Sequence, residues 1–227
     1  MRNCKIAGKE YQDGEFSMWS KHLDSLDGCP NHITGDFNCN DNNLTSLVGG
    51  PQIVEGAFYC MQNALTSLVG GPPRVDESYD CSENQLESLK WCPSHITRNL
   101  FCNNNQLSSL VGGPQRVDEN YICNNNILTD LVGCASHIGG ELNCYTNNIT
   151  SLVGIHKIVK SCKEIWFDEW KITEGGIGLL LIANLSSFSN SSMPFTIIRR
   201  YLGSGTKGMM ECSKELIKQG YETYAKL

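Results

Sequence analysis

Phe37-Asn-Cys-Asn-Asp-Asn-Asn-Leu-Thr-Ser-Leu-Val-Gly-Gly-Pro51 returns 21 residues later as Phe58-Tyr-Cys-Met-Gln-Asn-Ala-Leu-Thr-Ser-Leu-Val-Gly-Gly-Pro72. The same step links Cys39, Cys60, Cys81, Cys102, Cys123 and Cys144, and one period earlier it lands on Met18. An aromatic or Leu stands two residues before each Cys (Phe16, Phe37, Phe58, Tyr79, Leu100, Tyr121, Leu142). Leu or Ile follows at five and eight residues, from Leu23 and Leu26 to Ile149 and Leu152. A Gly comes next in every unit but one, where Trp91 replaces it, and Ile33, Val54, Val75, Ile96, Val117, Ile138 and Ile158 close the units. Placing Ile158 in that column requires a one-residue deletion.

Self-similarity at such a period marks a solenoid, in which each unit buries its apolar side against its neighbours. The unit aromatic-x-Cys-x-x-Asn-x-Leu-x-x-Leu is the leucine-rich repeat pattern, a short strand followed by an Asn where the chain turns. The expected fold is therefore an α/β repeat: a leucine-rich repeat solenoid of 21-residue coils with a parallel sheet on its concave face and a C-terminal helical cap. Its expected divisions are a lead-in over 1–13, seven repeats over 14–160, and a terminal strand with the cap over 161–227. Asn42, Asn63, Asn84, Asn105, Asn126 and Asn147 should satisfy backbone groups left unpaired where each strand ends. Lys21 replaces Asn in the first unit, as suits a capping repeat.

Beyond the repeats, Lys163 to Phe167 reads as one more strand. Thr173 is placed to cap a first helix carrying Ile177, Leu180, Leu181 and Leu185, and Pro194 to open a second that ends at Gly203. A third is expected over 206–225, with Met209, Cys212 and Leu216 on one side.

The repeats resemble the short bacterial repeats of the Yersinia and Shigella effector type, whose Asn-x-Leu-Thr-x-Leu is echoed by Asn42-Asn-Leu-Thr-Ser-Leu47. The whole chain is still more similar to a family of leucine-rich repeat proteins of tailed bacteriophages, through Gly175 to Ile182, Ile197 to Leu202, Glu211 to Ile217 and Tyr224 to Leu227. That resemblance implies a phage-encoded protein acting in the host cytoplasm. It implies no particular activity.

The 227 residues carry 18 Lys and Arg against 24 Asp and Glu, a formal charge of −6 without a basic stripe, which disfavours nucleic acid. Neither Met1 to Gly14 nor the run Leu179 to Ala183 has the length of a signal or membrane segment, so a cytoplasmic location and no membrane contact are expected. The Cys column alternates with the aromatic column, hence faces inward, and its thiols are expected to be reduced core side chains. His32, His95 and His137 share a repeat position but stand coils apart, too far to share a metal. Asp36, Asn38 and Asn40 start like a calcium loop that lacks its Gly and Glu. No cofactor, metal or catalytic cluster is expected.

What remains is the outward side of the strands. Tyr59, Met61, Phe101, Ile122 and Tyr145, with Asp80 between Tyr59 and Phe101, are candidate partner-binding residues, because nothing in the repeat requires large apolar groups there. The expected function is a non-enzymatic protein-binding module whose concave face holds a host protein, one of host defence included, or a phage protein. The alternatives are a structural or assembly protein of the virion, and an enzyme with its site between the tail and the last coils. The oligomeric state is open, and the apolar face could also be covered by the tail or by a second copy.

Overall fold

In the computed structural model the described residues, 11–189 and 191–227, form a parallel-sheet β-solenoid of about eight turns. Most of the expected lead-in, 1–13, lies outside them. The elements follow in the order β1 (Tyr11–Gln12), β2 (Phe16–Ser17), β3 (His32–Ile33), β4 (Phe37–Asn38), β5 (Ile53–Val54), β6 (Phe58–Tyr59), β7 (Arg74–Val75) and β8 (Tyr79–Asp80). Then come β9 (His95–Ile96), β10 (Leu100–Phe101), β11 (Arg116–Val117), β12 (Tyr121–Ile122), β13 (His137–Ile138), β14 (Glu141–Asn143), α1 (Ile155–Ile158), β15 (Glu164–Trp166), β16 (Ser187–Phe188), α2 (Met193–Arg199) and α3 (Gly205–Lys218).

The even-numbered strands from β2 to β14 continue into β15 and β16 as one nine-stranded sheet, called here the long sheet. The unit-closing residues form a second wall in two pieces, β1-β3-β5-β7 and β13-β11-β9. Each coil thus contributes two short strands separated by a corner. From Phe16 to Leu142 the long sheet pairs residues 21 apart, so every coil presents the same column to its neighbours.

The Asn column ties this register together. Asn84 Oδ1 accepts from the Leu65 N–H at 3.1 Å, while its Nδ2 donates to the carbonyls of Cys60 at 3.0 Å, Cys81 at 3.2 Å and Ser82 at 3.0 Å. The same pattern recurs at Asn42, Asn63, Asn105, Asn126 and Asn147. Asn42 also accepts from the Lys21 N–H at 3.0 Å. At the other end Asp168 takes over, its Oδ2 accepting from the Asn147 N–H at 3.2 Å and lying 3.2 Å from Lys171 Nζ. A second polar ladder runs along the corner, where Asp36, Asn99 and Asn120 accept from the Ala57, Asn120 and Glu141 N–H groups.

Inside, the cysteine thiols are free and fully or nearly buried, and several donate to the next coil's carbonyl, Cys39 to Tyr59 at 3.3 Å and Cys144 to Trp166 at 3.1 Å. Burial pushes the Cys144 thiol up to about 12, with the Asp168 carboxylate and the Cys162 thiol adding to the rise, so it stays protonated and inert. Cys29, outside that column, is disulfide-bonded. Phe16, Phe37, Phe58 and Tyr79 stack along the core at 5.1–5.9 Å between centroids.

From the third coil on, volume is balanced within coils: Gly50, Gly71 and Gly113 precede Phe58, Tyr79 and Tyr121 by eight residues, whereas Cys92 and Cys134 precede the smaller Leu100 and Leu142; in the second coil Cys29 precedes Phe37. The contact is direct at Gly71, where a Cβ would lie 3.1 Å from the Tyr79 hydroxyl. The buried hydroxyls of Tyr79 and Tyr121 have no hydrogen-bond partner.

The last coils depart from the period. Leu142 pairs with Ile165 and Ile165 with Phe188, steps of 23, and His137 bridges Ser161, a step of 24. The seventh unit is therefore lengthened and not shortened. Cys162, fully buried, follows Ser161 where Ile138 follows His137, while Ile158 lies partly buried in α1. The segment expected as a first helix from Thr173 is an eighth turn of the solenoid, with a 3₁₀ turn at Ile177–Leu181 that buries Ile177 to Leu180. The second expected helix is α2, with Ser192 as N-cap and Pro194 in its first turn. The third ends at Lys218, short of 225, and a 3₁₀ turn at Glu222–Ala225 follows Gly220.

Phe195 of α2 packs edge-on to Phe167 and Phe188, with centroids at 5.2 and 6.2 Å. Buried Glu169 accepts from the Ser191 and Ser192 N–H groups at 2.7 and 3.0 Å, and also from the Ser191 hydroxyl. Desolvation works to raise its pKa, but these hydrogen bonds outweigh it and hold the carboxyl below its ordinary value.

Two stability measurements follow from this packing. Asn84→Ala should lower unfolding free energy by about 1–3 kcal/mol, because it strands carbonyls and an N–H of two coils at once. An unchanged denaturation midpoint would show that water replaces the amide. Gly71→Ala should cost about 1–3 kcal/mol by overpacking, and Tyr79→Phe should recover part of that loss, since it removes both the crowding oxygen and an unpaired hydroxyl. Additive effects in the double-mutant cycle would contradict the contact.

Candidate functional site

The outward side chains of the long sheet sit in register. Asn38, Tyr59, Asp80, Phe101, Ile122, Asn143 and Trp166 are successive partners from β4 to β15. Tyr59, Asp80, Phe101 and Ile122 therefore occupy four adjacent coils, about 4.8 Å apart, with Met61 two residues beyond Tyr59. All are half-buried. Asn40 fixes the backbone beside them, its Oδ1 accepting from the Met61 N–H at 2.8 Å.

Tyr145 belongs elsewhere. Its ring lies 6.4 Å from Trp166 and 6.5 Å from Trp170, in a second aromatic group at the C-terminal end, and Trp170 is 70% exposed. The 21-residue reading missed Trp166 and Trp170, because the 23-residue step moves them off the expected column; aligning Ile165 on Leu142 recovers Trp166. At the opposite end Trp19 is also exposed.

Charge gathers around Tyr59 and Asp80. Burial lifts the Tyr59 phenol above its ordinary value, with the carboxylates of Asp36, Glu77 and Asp80 adding to the rise and Arg98 opposing it. Arg98 lies 3.4 Å from Glu77. Desolvation likewise raises the Asp80 carboxyl, although its Oδ1 accepts from the Ser82 N–H at 3.0 Å and hydroxyl at 2.6 Å. The Asp80 carboxyl thus stands between Tyr59 and Phe101 against a desolvation cost that its two hydrogen bonds from Ser82 only partly offset.

Elsewhere, His32 and His95 bond across coils to Glu55 and Asp118, each at 2.9 Å. Among the described residues no group of three His, Cys, Asp or Glu side chains is placed to hold a metal ion, and no helix is long and apolar enough to cross a membrane. A cavity of about 290 Å³ beside α3 is lined by Ile177, Met209, Met210, Ser213, Lys214, Ala225 and Leu227, with Lys214 as its one titratable side chain. No model of a known protein family matches the chain, and no curated protein matches it.

The raised Asp80 carboxyl has a testable sign. The fold favours its protonated form, so its cost to stability is absent below the ordinary carboxylate range and grows as pH rises through the raised value. Asp80→Asn keeps the acceptor for Ser82 and should raise stability by up to about 1 kcal/mol at pH 7, with no gain near pH 3. Thermal unfolding at the two pH values measures this, and a variant less stable at pH 7 would mean that the charge is stabilising.

Proposed function

We propose that the chain is a leucine-rich repeat binding module, phage-encoded and acting in the host cytoplasm, that holds a host or phage protein on its long sheet, with α2 and α3 as a cap on the last turn. The observation that carries the reading is the partly buried outward run Tyr59, Asp80, Phe101 and Ile122 on a rigid sheet. Aromatic side chains held rigidly beside a charged group are what protein interfaces use as anchors. The Asn ladder and the Leu columns favour the leucine-rich repeat assignment. Neither the long sheet nor the cavity beside α3 gathers an acid, a base and a nucleophile, which favours binding over catalysis.

The test is capture of partners by the tagged protein from infected cells, with Tyr59→Ser/Phe101→Ser as the comparison. Each ring is worth roughly 2 kcal/mol to an interface, so the double variant should lose capture by more than about tenfold while its melting temperature stays within a few degrees. A collapse in melting temperature would show that the rings are covered core. Capture that survives would place binding on another surface.

A further inference from the structure

The longest row of exposed apolar side chains in the repeats lies on a turn and not on the long sheet. After the core Leu of each coil the chain turns through Val48, Val69, Lys90, Val111, Val132 and Val153, one per coil. The five valines are 55%, 43%, 57%, 50% and 41% exposed. Their N–H groups bond within their own turns, Val48 to Ser46 Oγ and Val111 to Ser109 Oγ at 3.2 Å and Val132 to Asp130 Oδ1 at 2.9 Å. The side chains are thus held at a fixed pitch of about 4.8 Å, over a ridge of about 24 Å.

A second observation marks the same ridge. The residue after each valine is a glycine in the left-handed region, φ 85–90° at Gly49, Gly70, Gly112 and Gly133, but Trp91 adopts φ 79° at the corresponding place. A bulky residue there costs roughly 1–2 kcal/mol, and strain of that kind persists where a side chain is used. Trp91 is 56% exposed, and Lys90 Nζ lies 5.3 Å from the centre of its ring. At the one coil inside the row that lacks a valine, an indole restores the apolar surface and the ammonium is drawn onto it.

We propose that this ridge is a dimerisation surface through which two copies of the chain pack antiparallel. A row of identical side chains repeating at the inter-coil spacing is filled evenly only by a row of the same pitch, and the same ridge on a second copy supplies one. The six positions are symmetric about the midpoint between Lys90 and Val111. An antiparallel copy therefore seats Val48 on Val153, Val69 on Val132, and the Lys90-Trp91 pair over Val111, twice each about a twofold axis. Asp27, one coil before Val48, ends the row with a carboxylate. A specific interface needs about 1,000 Å² in total, and six half-exposed side chains at roughly 60–100 Å² each give about half of that from each copy.

Sedimentation velocity of the full chain up to roughly 100 μM should show a dimer. Val69→Glu, which sets a carboxylate at an exposed turn against Val132 of the second copy, flanked there by Val111 and Val153, should weaken it by at least about tenfold with an unchanged melting curve. Trp91→Gly should weaken the dimer while leaving the melting temperature equal or higher. Oxidising a mixture of Val69→Cys and Val132→Cys proteins should give a crosslinked heterodimer that Val69→Cys alone does not form. A chain that stays monomeric, a dimer indifferent to Val69→Glu, or a dimer lost instead in Tyr59→Ser/Phe101→Ser would each overturn the proposal.

Discussion

One side-chain amide per coil makes the rest of the structure possible. Where a strand ends, the backbone leaves an N–H on one coil and carbonyls on two without a partner in the strand ladder. Asn126 closes these groups with the Leu107 N–H at 3.0 Å and the Cys102, Cys123 and Asn124 carbonyls at 3.0–3.4 Å. Because the amide is short, the strand before it and the Leu after it must keep constant offsets, and those offsets are the columns. The core then needs only small or aliphatic side chains at the remaining inward positions, and a thiol serves as well as a methyl while also donating to the next coil.

That constraint explains which parts of the molecule could be read from the sequence. Wherever the Asn recurs, from Asn42 to Asn147, the strand register and the inward face are those the spacing implies. Past Asn147 the amide gives way to Asp168 with Lys171, α1 occupies the turn, and the steps become 23 and 24. A search at a constant period then takes the wrong isoleucine, Ile158, and passes over Cys162. The same change disguised the eighth turn: Ile177, Leu180 and Leu181 fit a helical face as well as an inward turn, and only pairing of β16 with β15 separates the two. The disulfide at Cys29 was hidden for another reason, since Cys29 shares its repeat position with the free Cys92 and Cys134.

The outward residues were legible in part. Alternation along a strand assigns Tyr59, Asp80, Phe101 and Ile122 to the outside, and they lie there in one row. It says nothing of the turns. In Leu47-Val48 and Leu110-Val111 two adjacent apolar residues follow one pattern in the sequence, yet the Leu is fully buried and the Val more than half exposed. Nothing in a one-dimensional pattern distinguishes them, because the turn rotates the chain between the two positions.

The glycine after the valine shows how tightly that turn is held. At Gly70 a Cβ would fall 2.4 Å from the Val48 nitrogen, closer than any real contact, and φ is +85°. Two independent constraints, conformation and clearance, therefore require glycine there. Clearance is looser at Gly112, where a Cβ would lie 3.1 Å from Lys90, and Trp91 in another coil shares the left-handed conformation, at φ 79°. By contrast, the left-handed position before each Asn accepts Asp41, Gln62, Glu83, Asn104, Asn125 and Thr146 at φ 53–54°, because its side chain points to solvent and its N–H bonds the next coil, as Gln62 does to Ser82 at 3.2 Å. Strain is tolerated in every coil where a hydrogen bond accompanies it. Trp91 has the strain together with an exposed ring, and the contact that ring makes is with the Lys90 ammonium, 5.3 Å from its centre.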